Sequence, residues 1–276
     1  MGLFDGKKGL ILGVANDRSI AWSAAQFIAA EGGVCGYSHL PDKPDDARQK
    51  NRRRVAQLVE GLPSTKFLVP LDVQSDEHIA ALMETARQEL GTIDFLLHSI
   101  AFADINDLKG ETVATSRSGF KLAMDISAYS LLAVCNAAIP LLAPDASIVT
   151  MTYYGGEKCV AGYNVMGICK AALDACVKYL AYDMGPRGVR VNAVSAGPLK
   201  TLASSAVKAG GMLELYQRMS PMQRNVTHEQ VARSVGFLLS SMSEGITGEI
   251  LHHDCGFNIM GSPGRMLDEY RAQLGE

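Results

Sequence analysis

The sequence predicts an α/β protein in which a doubly wound parallel sheet of about seven strands carries helices on both faces. Short apolar runs alternate along the chain with longer segments of helical periodicity. This alternation is typical of parallel sheets, whose strands are buried on both faces and joined by crossover helices. No Pro/Gly/Ser-rich linker and no repeat divides the 276 residues, so 1–276 is interpreted as a single domain.

The predicted strands are the short apolar runs. They are Gly9–Gly13, Val34–Ser38, Lys66–Leu71, Asp94–Ser99, Ser147–Thr152, Val189–Val194 and Glu249–His253. The clearest helical periodicity lies between them, at Ile20–Glu31, Ala47–Glu60, Glu77–Leu90 and Val165–Met184. Leu199–Ser220, after the sixth strand, has weak periodicity. It is interpreted either as a substrate-binding lid or as an ordinary helical crossover.

Composition narrows the possible partners. The net charge of −3 and the pI near 6.1 give no electrostatic reason to expect nucleic acid or an anionic membrane. No uninterrupted apolar run reaches the roughly 18–20 residues of a spanning helix, so we expect no membrane segment and a cytoplasmic protein. The 6 cysteines show neither CxxC pairs nor zinc-ligand spacing, and we expect reduced thiols and no metal site.

The turn after the first strand, GVANDRSIAW, predicts a site for a dinucleotide pyrophosphate. Free backbone N–H groups and the positive end of a helix dipole favour an anion at such a turn. The residues expected to surround it are Gly13, Val14, Ala15, Ser19 and Ile20, with Ser19 as the N-cap of the helix. The usual GxGxxG spacing is absent, so a plain β–α turn remains the alternative.

Two further strand ends carry residues suited to a dinucleotide. Asp72 follows the third strand and is expected to accept from the adenine amino group, with Val73 packed on the ring. After the fourth strand, Ser99, Ile100 and Ala101 stand where a nicotinamide ribose would cross the sheet, and small side chains allow that approach.

The choice between NADH and NADPH rests on the end of the second strand. No acidic residue follows Ser38 to take the ribose 2′-hydroxyl, and no arginine stands there for a 2′-phosphate. Leu40 and Pro41 offer little to a doubly charged phosphate, whereas Lys43 and the arginines of 48–54 keep NADPH open. We expect NADH, with NADPH less favoured.

Two tyrosine–lysine pairs could carry chemistry after the fifth strand. Tyr154 and Lys158 have the YxxxK spacing of ordinary short-chain dehydrogenases, but two consecutive glycines between them make a poor helix. Tyr163 and Lys170 lie seven positions apart, and at about 100° per residue this returns them to nearly the same helical face. We favour the second pair.

The chain carries a series of motifs in a fixed order: GVANDRSIAW, LDV, HSIAFA, DISAYS, TYYGGE, YNVMGICKA, VRVNAVSAGPLKTLA, ITGEI and HDCGF. Together, and with the Tyr-x6-Lys spacing, they resemble the bacterial NADH-dependent enoyl-(acyl-carrier-protein) reductases, a divergent branch of the short-chain dehydrogenase/reductases. The resemblance covers nearly the whole chain and implies a Rossmann-like fold. It implies transfer of a hydride from NADH to the β-carbon of a trans-2-enoyl thioester in fatty-acid elongation.

The resemblance also implies roles for single residues. Tyr163 would stabilise the enolate oxygen, and Lys170 would hold the ribose hydroxyls while its charge lowers the pKa of the phenol. Tyr153 would lie near the acyl chain. The SAGPxxT stretch would meet the nicotinamide and the diphosphate through Ala196, Gly197, Pro198, Leu199 and Thr201. The acyl chain would be lined by Ala103, Met166, Ala203 and Val207 as well as the two tyrosines.

Partners and rival functions follow from the same resemblance. It implies acyl carrier protein as the carrier of the substrate and a homotetramer as the assembly. The rivals are a ketone- or alcohol-handling short-chain dehydrogenase that uses Tyr154 and Lys158, and a non-catalytic NAD-binding regulator on the same fold.

Overall fold

The computed structural model describes residues 2–199 and 210–275. Their strands are β1 (Lys8–Leu12), β2 (Val34–His39), β3 (Thr65–Pro70), β4 (Ile93–His98), β5 (Leu142–Thr152), β6 (Arg190–Ala196) and β7 (Ile250–His253). Their helices are α1 (Ile20–Ala30), α2 (Lys50–Val59), α3 (Asp76–Glu89), α4 (Arg117–Met124), α5 (Ser130–Ala138), α6 (Asn164–Met184), α7 (Gly210–Met219), α8 (His228–Leu239) and α9 (Met266–Leu274).

The described strands form one parallel sheet in the order β3-β2-β1-β4-β5-β6-β7. The chain runs outward from β1 to β3 and then returns to place β4 on the other side of β1. This reversal is the topological switch point at which doubly wound sheets bind ligands. The predicted Rossmann-like fold class is therefore confirmed.

Alternating side chains of each strand fill two cores, one on each face of the sheet. Ile11 and Leu97 belong to the core formed with α1 and α8, and both are fully buried. Leu10 and Leu96, one residue earlier, belong to the core formed with α3, α5 and α6. Strands that are apolar on both faces have no solvent side, which is why they read in sequence as continuous apolar runs.

The predicted start of the second helix is wrong by three residues. The helix was expected from Ala47, but α2 begins at Lys50. Carboxylates of the preceding loop account for the difference: Asp46 accepts from the backbone N–H of Arg48 at 3.1 Å, and Asp42 accepts from that of Asn51 at 2.6 Å. Aspartate side chains that bond nearby N–H groups favour turns over helix.

The expectation that no apolar segment is long enough to span a membrane is wrong. The continuous helical stretch Arg117–Leu141, which joins α4 and α5 through a π-helical turn at Asp125–Tyr129, has 25 residues and passes the test of length and hydropathy. Its apolar face lies in the core beside α3 and α6, where Leu131 and Val134 are fully buried. Helices of protein cores pass the same test, so it is weak support for a span.

Gly13 ends β1 at the switch point, where two strand ends come very close. Its φ of +99° lies in a region that L side chains rarely adopt, and an added Cβ would meet the carbonyl oxygen of Ser99 at 2.0 Å. Ser99 in turn donates its backbone N–H to Leu12 at 3.1 Å. Glycine is therefore required by both conformation and space.

We predict that Gly13→Ala costs far more stability than Gly6→Ala. Gly6 also has a positive φ, of +75°, but nothing lies within 4 Å of its added Cβ, so only the conformational cost of about 1 kcal/mol applies. At Gly13 a steric cost of about 1–3 kcal/mol adds to it. The free energy of unfolding from denaturant titration checks this, and equal losses in the two variants would contradict the close approach.

Candidate active site

The candidate site lies at the carboxyl edge of β1, β4, β5 and β6, and α6 supplies most of its chemistry. The chain enters α6 through two residues of positive φ, Gly162 at +78° and Asn164 at +38°. The side-chain amide of Asn164 donates to the carbonyls of Leu108 at 3.2 Å and Gly110 at 2.9 Å. Because these bonds hold Asn164, they also fix the position of Tyr163, which lies between Gly162 and Asn164 in the chain.

Tyr163 packs against Tyr153, the residue that follows β5. Their ring centroids are 4.8 Å apart, edge to face at 71°. The loop between them can lie this close because it carries glycine: a Cβ on Gly155 would meet the ring of Tyr163 at 2.5 Å, and one on Gly156 would meet the carboxylate of Asp174 at 2.7 Å. The glycine pair therefore lets the end of β5 pack directly on α6.

Lys170 lies two turns further along α6 and is 6% exposed. Its Nζ donates to the carbonyl of Met151, near the end of β5, at 2.8 Å. Burial lowers the pKa of Lys170 from 10.5 to about 8, and the carboxylate of Asp174 one turn below opposes that fall. Tyr163 and Lys170 thus both lie against the last residues of β5.

The phenol of Tyr163 keeps its proton in this environment. Burial raises its pKa well above the ordinary value, and the neighbouring Cys169 and Asp174 raise it further. The expected lowering of this pKa by Lys170 is not found: burial is the largest cause of the shift, and the ammonium group is not among its causes. Tyr163 is therefore a neutral hydrogen-bond donor at physiological pH.

The alternative pair, Tyr154 and Lys158, forms no comparable buried arrangement, although Tyr154 also follows β5. Tyr154 lies in a short 3-10 turn with its ring edge-on to Phe257, at a centroid distance of 5.8 Å. Lys158 is exposed. The two glycines break the α-helix that would have placed both on one face.

The turn after β1 leaves the start of α1 open. Ser19 has the extended backbone of an N-cap, but its hydroxyl donates to the carbonyl of Asn16 at 2.7 Å and makes no capping bond to the first turn of α1. Ser19 therefore occupies the predicted N-cap position, but its side chain does not cap the helix. Gly13, Ala15 and Ile20 line the same turn, while Val14 is buried beneath it.

The other predicted cofactor residues follow the carboxyl edge. Asp72 is partly buried and accepts from the backbone of Gln74 at 3.0 Å, and Val73 beside it is 8% exposed. Ser99 and Ile100 are partly buried and Ala101 is exposed. Leu40, past the end of β2, is 64% exposed.

The end of β6 is tied to the end of β7. The backbone N–H of Gly197 donates to the carbonyl of His253 at 2.8 Å, and a Cβ on Gly197 would meet the Cα of Asp254 at 3.0 Å. Ala196 and Leu199 are buried, and Pro198 between them is partly buried. Thr201, Ala203 and Val207 lie outside the described residues.

Two residues expected to line the acyl chain face a neighbouring cluster. Met166 is 7% exposed, and its sulfur lies 3.9 Å from the hydroxyl of Ser127. Ala103 packs on the small cluster formed by Ala123, Val165 and Cys169.

Sequence reasoning missed Tyr216 of α7. Its hydroxyl is hydrogen-bonded to that of Tyr153, and its ring stacks on Phe257 with centroids 3.9 Å apart. The only signal was an aromatic residue in a stretch otherwise interpreted as lid. Within residues 2–199 and 210–275, no cluster of His, Cys, Asp and Glu has the arrangement of a metal site.

Comparison with known proteins gives a consistent result. Residues 13–258 match the sequence model of a family described as enoyl-(acyl carrier protein) reductase. The NADH-dependent enoyl-(acyl-carrier-protein) reductase of Nostoc sp. is 46% identical over 93% of this chain and 98% of its own. The crystal structure of the enzyme of that name from Aquifex aeolicus has a TM-score of 0.88 at 42% identity, over 95% of this chain and all 100% of its own. The reductase of Anaplasma phagocytophilum, solved with NAD, gives a TM-score of 0.87 at 41% identity, over 95% and 96%.

We predict that burial of the Lys170 ammonium gives the folded protein a measurable pH dependence. Between a folded pKa of about 8 and the ordinary 10.5, the unfolded chain binds more protons, so stability rises with pH. Relative to Lys170→Met, the free energy of unfolding of the wild type should rise across this window by up to about 1.4 kcal/mol per pH unit. Lys66→Met, at an exposed position on β3, is the control and should follow the wild type. Parallel curves for wild type and Lys170→Met would refute the buried charge.

Proposed function

The chain belongs to the enoyl-(acyl-carrier-protein) reductase family, and we propose that Tyr163, Tyr153 and Lys170 carry out its reaction. The protein is an NADH-dependent oxidoreductase acting on CH–CH bonds, and it reduces trans-2-enoyl thioesters in fatty-acid biosynthesis. The observation that supports the assignment of residues is the convergence of a neutral phenol and a buried ammonium group on the end of β5.

The residues at the switch point suit a dinucleotide. The side chain of Ser19 leaves the first turn of α1 uncapped, so the backbone N–H groups of that turn can bind an anionic pyrophosphate. When bound, NADH supplies the hydride that adds to the β-carbon of the enoyl thioester. We assign Asp72 and Val73 to the adenine end of the cofactor and Leu40 to the adenosine ribose. We assign Ser99–Ala101 and Ala196–Leu199 to the nicotinamide end.

Tyr163 is assigned the stabilisation of developing negative charge. As a neutral donor, its hydroxyl hydrogen-bonds the thioester carbonyl oxygen and strengthens that bond as the oxygen becomes an enolate. An ammonium group has three N–H donors, and Lys170 uses one of them in its hydrogen bond to the carbonyl of Met151. Its remaining donors are assigned to the ribose hydroxyls, so that its main work is to orient the cofactor.

We assign the acyl chain and its carrier to the side of Tyr153 and Tyr163 that lies opposite the cofactor. Acyl carrier protein delivers the enoyl chain, and Tyr153, Met166 and Ala103 lie on the elements that would border it. We propose that Leu199–Ser220, with Ala203 and Val207, covers the chain as a lid. Support comes from its helical end, α7, which is held by the side-chain amide of Asn225 on the carbonyl of Leu213 at 2.9 Å.

We also propose a homotetramer located in the cytoplasm. Large apolar side chains stand exposed on α4 and α6, among them Phe120 at 38%, Ile168 at 42% and Tyr182 at 83%. Exposed apolar surface on adjacent helices supports association between copies. The 6 cysteines, all free thiols, suit a reducing compartment.

Tyr163→Phe should lower turnover with crotonyl-CoA about 100-fold, because it removes the one donor assigned to the enolate oxygen. NADH binding, measured by fluorescence titration, should stay within about twofold. Turnover is followed as loss of NADH absorbance. Tyr154→Phe is the matched control and should retain wild-type rates; the opposite pattern, with reduction of a β-ketoacyl thioester, would identify the dehydrogenase rival.

Ile168→Glu should break the proposed assembly, because it places a carboxylate on the exposed face of α6. Light scattering should give about four times 29.5 kDa for the wild type and a smaller mass for the variant. Leu274→Glu, on the exposed end of α9, should stay tetrameric. A monomeric wild type would contradict the proposal.

A further inference from the structure

Tyr216 joins α7 to the candidate active site through a partly buried contact between two hydroxyl groups. Its hydroxyl and that of Tyr153 are hydrogen-bonded, and Tyr216 itself is only 4% exposed. Burial raises the pKa of both phenols, so both keep their protons at neutral pH and one donates to the other. The contact links a residue beside the reacting tyrosine to one far along the chain. Tyr216 can therefore act on the site from α7.

The ring of Tyr216 is held firmly. It stacks on Phe257 at an interplanar angle of 20°. Phe257 begins a short turn that the carboxylate of Asp254 secures, by accepting from the backbone N–H of Gly256 at 2.9 Å and of Asn258 at 2.8 Å. The carbonyl of Tyr216 also accepts from the backbone of Ser220 at 2.8 Å. The hydroxyl of Tyr216 is therefore a fixed point rather than a mobile one.

Tyr153 needs such a fixed point. Among the described contacts, its hydroxyl bonds only to Tyr216, while its ring packs edge to face on Tyr163. A hydroxyl has one donor and two acceptor positions, so the bond to Tyr216 takes one and sets the direction of the rest. The remaining positions of the Tyr153 hydroxyl stay available beside the ring of Tyr163, on which the ring of Tyr153 packs.

We propose that Tyr216 is a positioning residue for the enoyl thioester: its hydroxyl holds Tyr153 in the orientation that receives the acyl group. This inference rests on the proposed role of Tyr153 beside the acyl chain. Tyr216 acts through Tyr153 and is not assigned contact with the reacting atoms. It links substrate positioning to α7, the helix at the end of the proposed lid.

The test is a double-mutant cycle of Tyr216→Phe and Tyr153→Phe with crotonyl-CoA as substrate. Phenylalanine at 216 keeps the stack on Phe257 and removes only the hydroxyl. Loss of one neutral hydrogen bond should raise KM for the thioester about 2- to 10-fold, with kcat and the KM for NADH little changed. In the Tyr153→Phe background the same change should have no further effect.

Tyr270→Phe, on the exposed face of α9, is the matched control and should match the wild type. Thermal denaturation of each variant separates positioning from folding, since Tyr216→Phe should lower the Tm by only about 2–4 °C and leave the protein folded at the assay temperature. Unchanged KM in Tyr216→Phe would overturn the inference, and so would an equal rise in both backgrounds. If Tyr163→Phe is inactive while the cycle shows no coupling, only this inference fails; if Tyr163→Phe is fully active, the proposed catalytic residues fail first.

Discussion

The candidate site depends on keeping an ammonium group inside the protein. Lys170 has little access to water, and the Met151 carbonyl and the Asp174 carboxylate nearby offset part of the lost hydration. That arrangement requires α6 to lie directly on the end of β5, which the glycine pair after Tyr154 permits. The same close packing brings Tyr163 against Tyr153. The packing that buries the Lys170 ammonium therefore also sets the positions of the Tyr153 and Tyr163 phenols.

The sheet could be predicted because its buried strands leave a regular pattern of apolar residues in the sequence. Strands buried on both faces give unbroken apolar runs, and Leu10, Ile11 and Leu12 divide between two cores as that pattern requires. Helix ends were less predictable where side chains compete with the helix for backbone N–H groups, as Asp42 and Asp46 do before α2. The long apolar stretch around α5 was missed because Asp125, Ser127 and Ser130 interrupt its apolar residues, although the mean hydropathy of the stretch is high.

At the site, spacing together with the poor helix propensity of Gly155 and Gly156 selected Tyr163 and Lys170 over Tyr154 and Lys158, and the structure gathers the selected pair at β5. Three features required tertiary structure. The hydroxyl of Ser19 prefers the Asn16 carbonyl to the helix it precedes. The pKa of Tyr163 follows its burial, which no local pattern encodes. Tyr216 meets Tyr153 across 63 positions of the chain, a distance at which a single sequence carries no signal.

The helical stretch Arg117–Leu141 has a consequence for synthesis. Its apolar face is covered by α6, which leaves the ribosome later, and at about 5–20 residues per second that delay is a matter of seconds. During this interval the nascent chain presents a segment that resembles a membrane anchor to chaperones and targeting factors. Until α6 packs over it, the apolar face of this segment lacks its native cover.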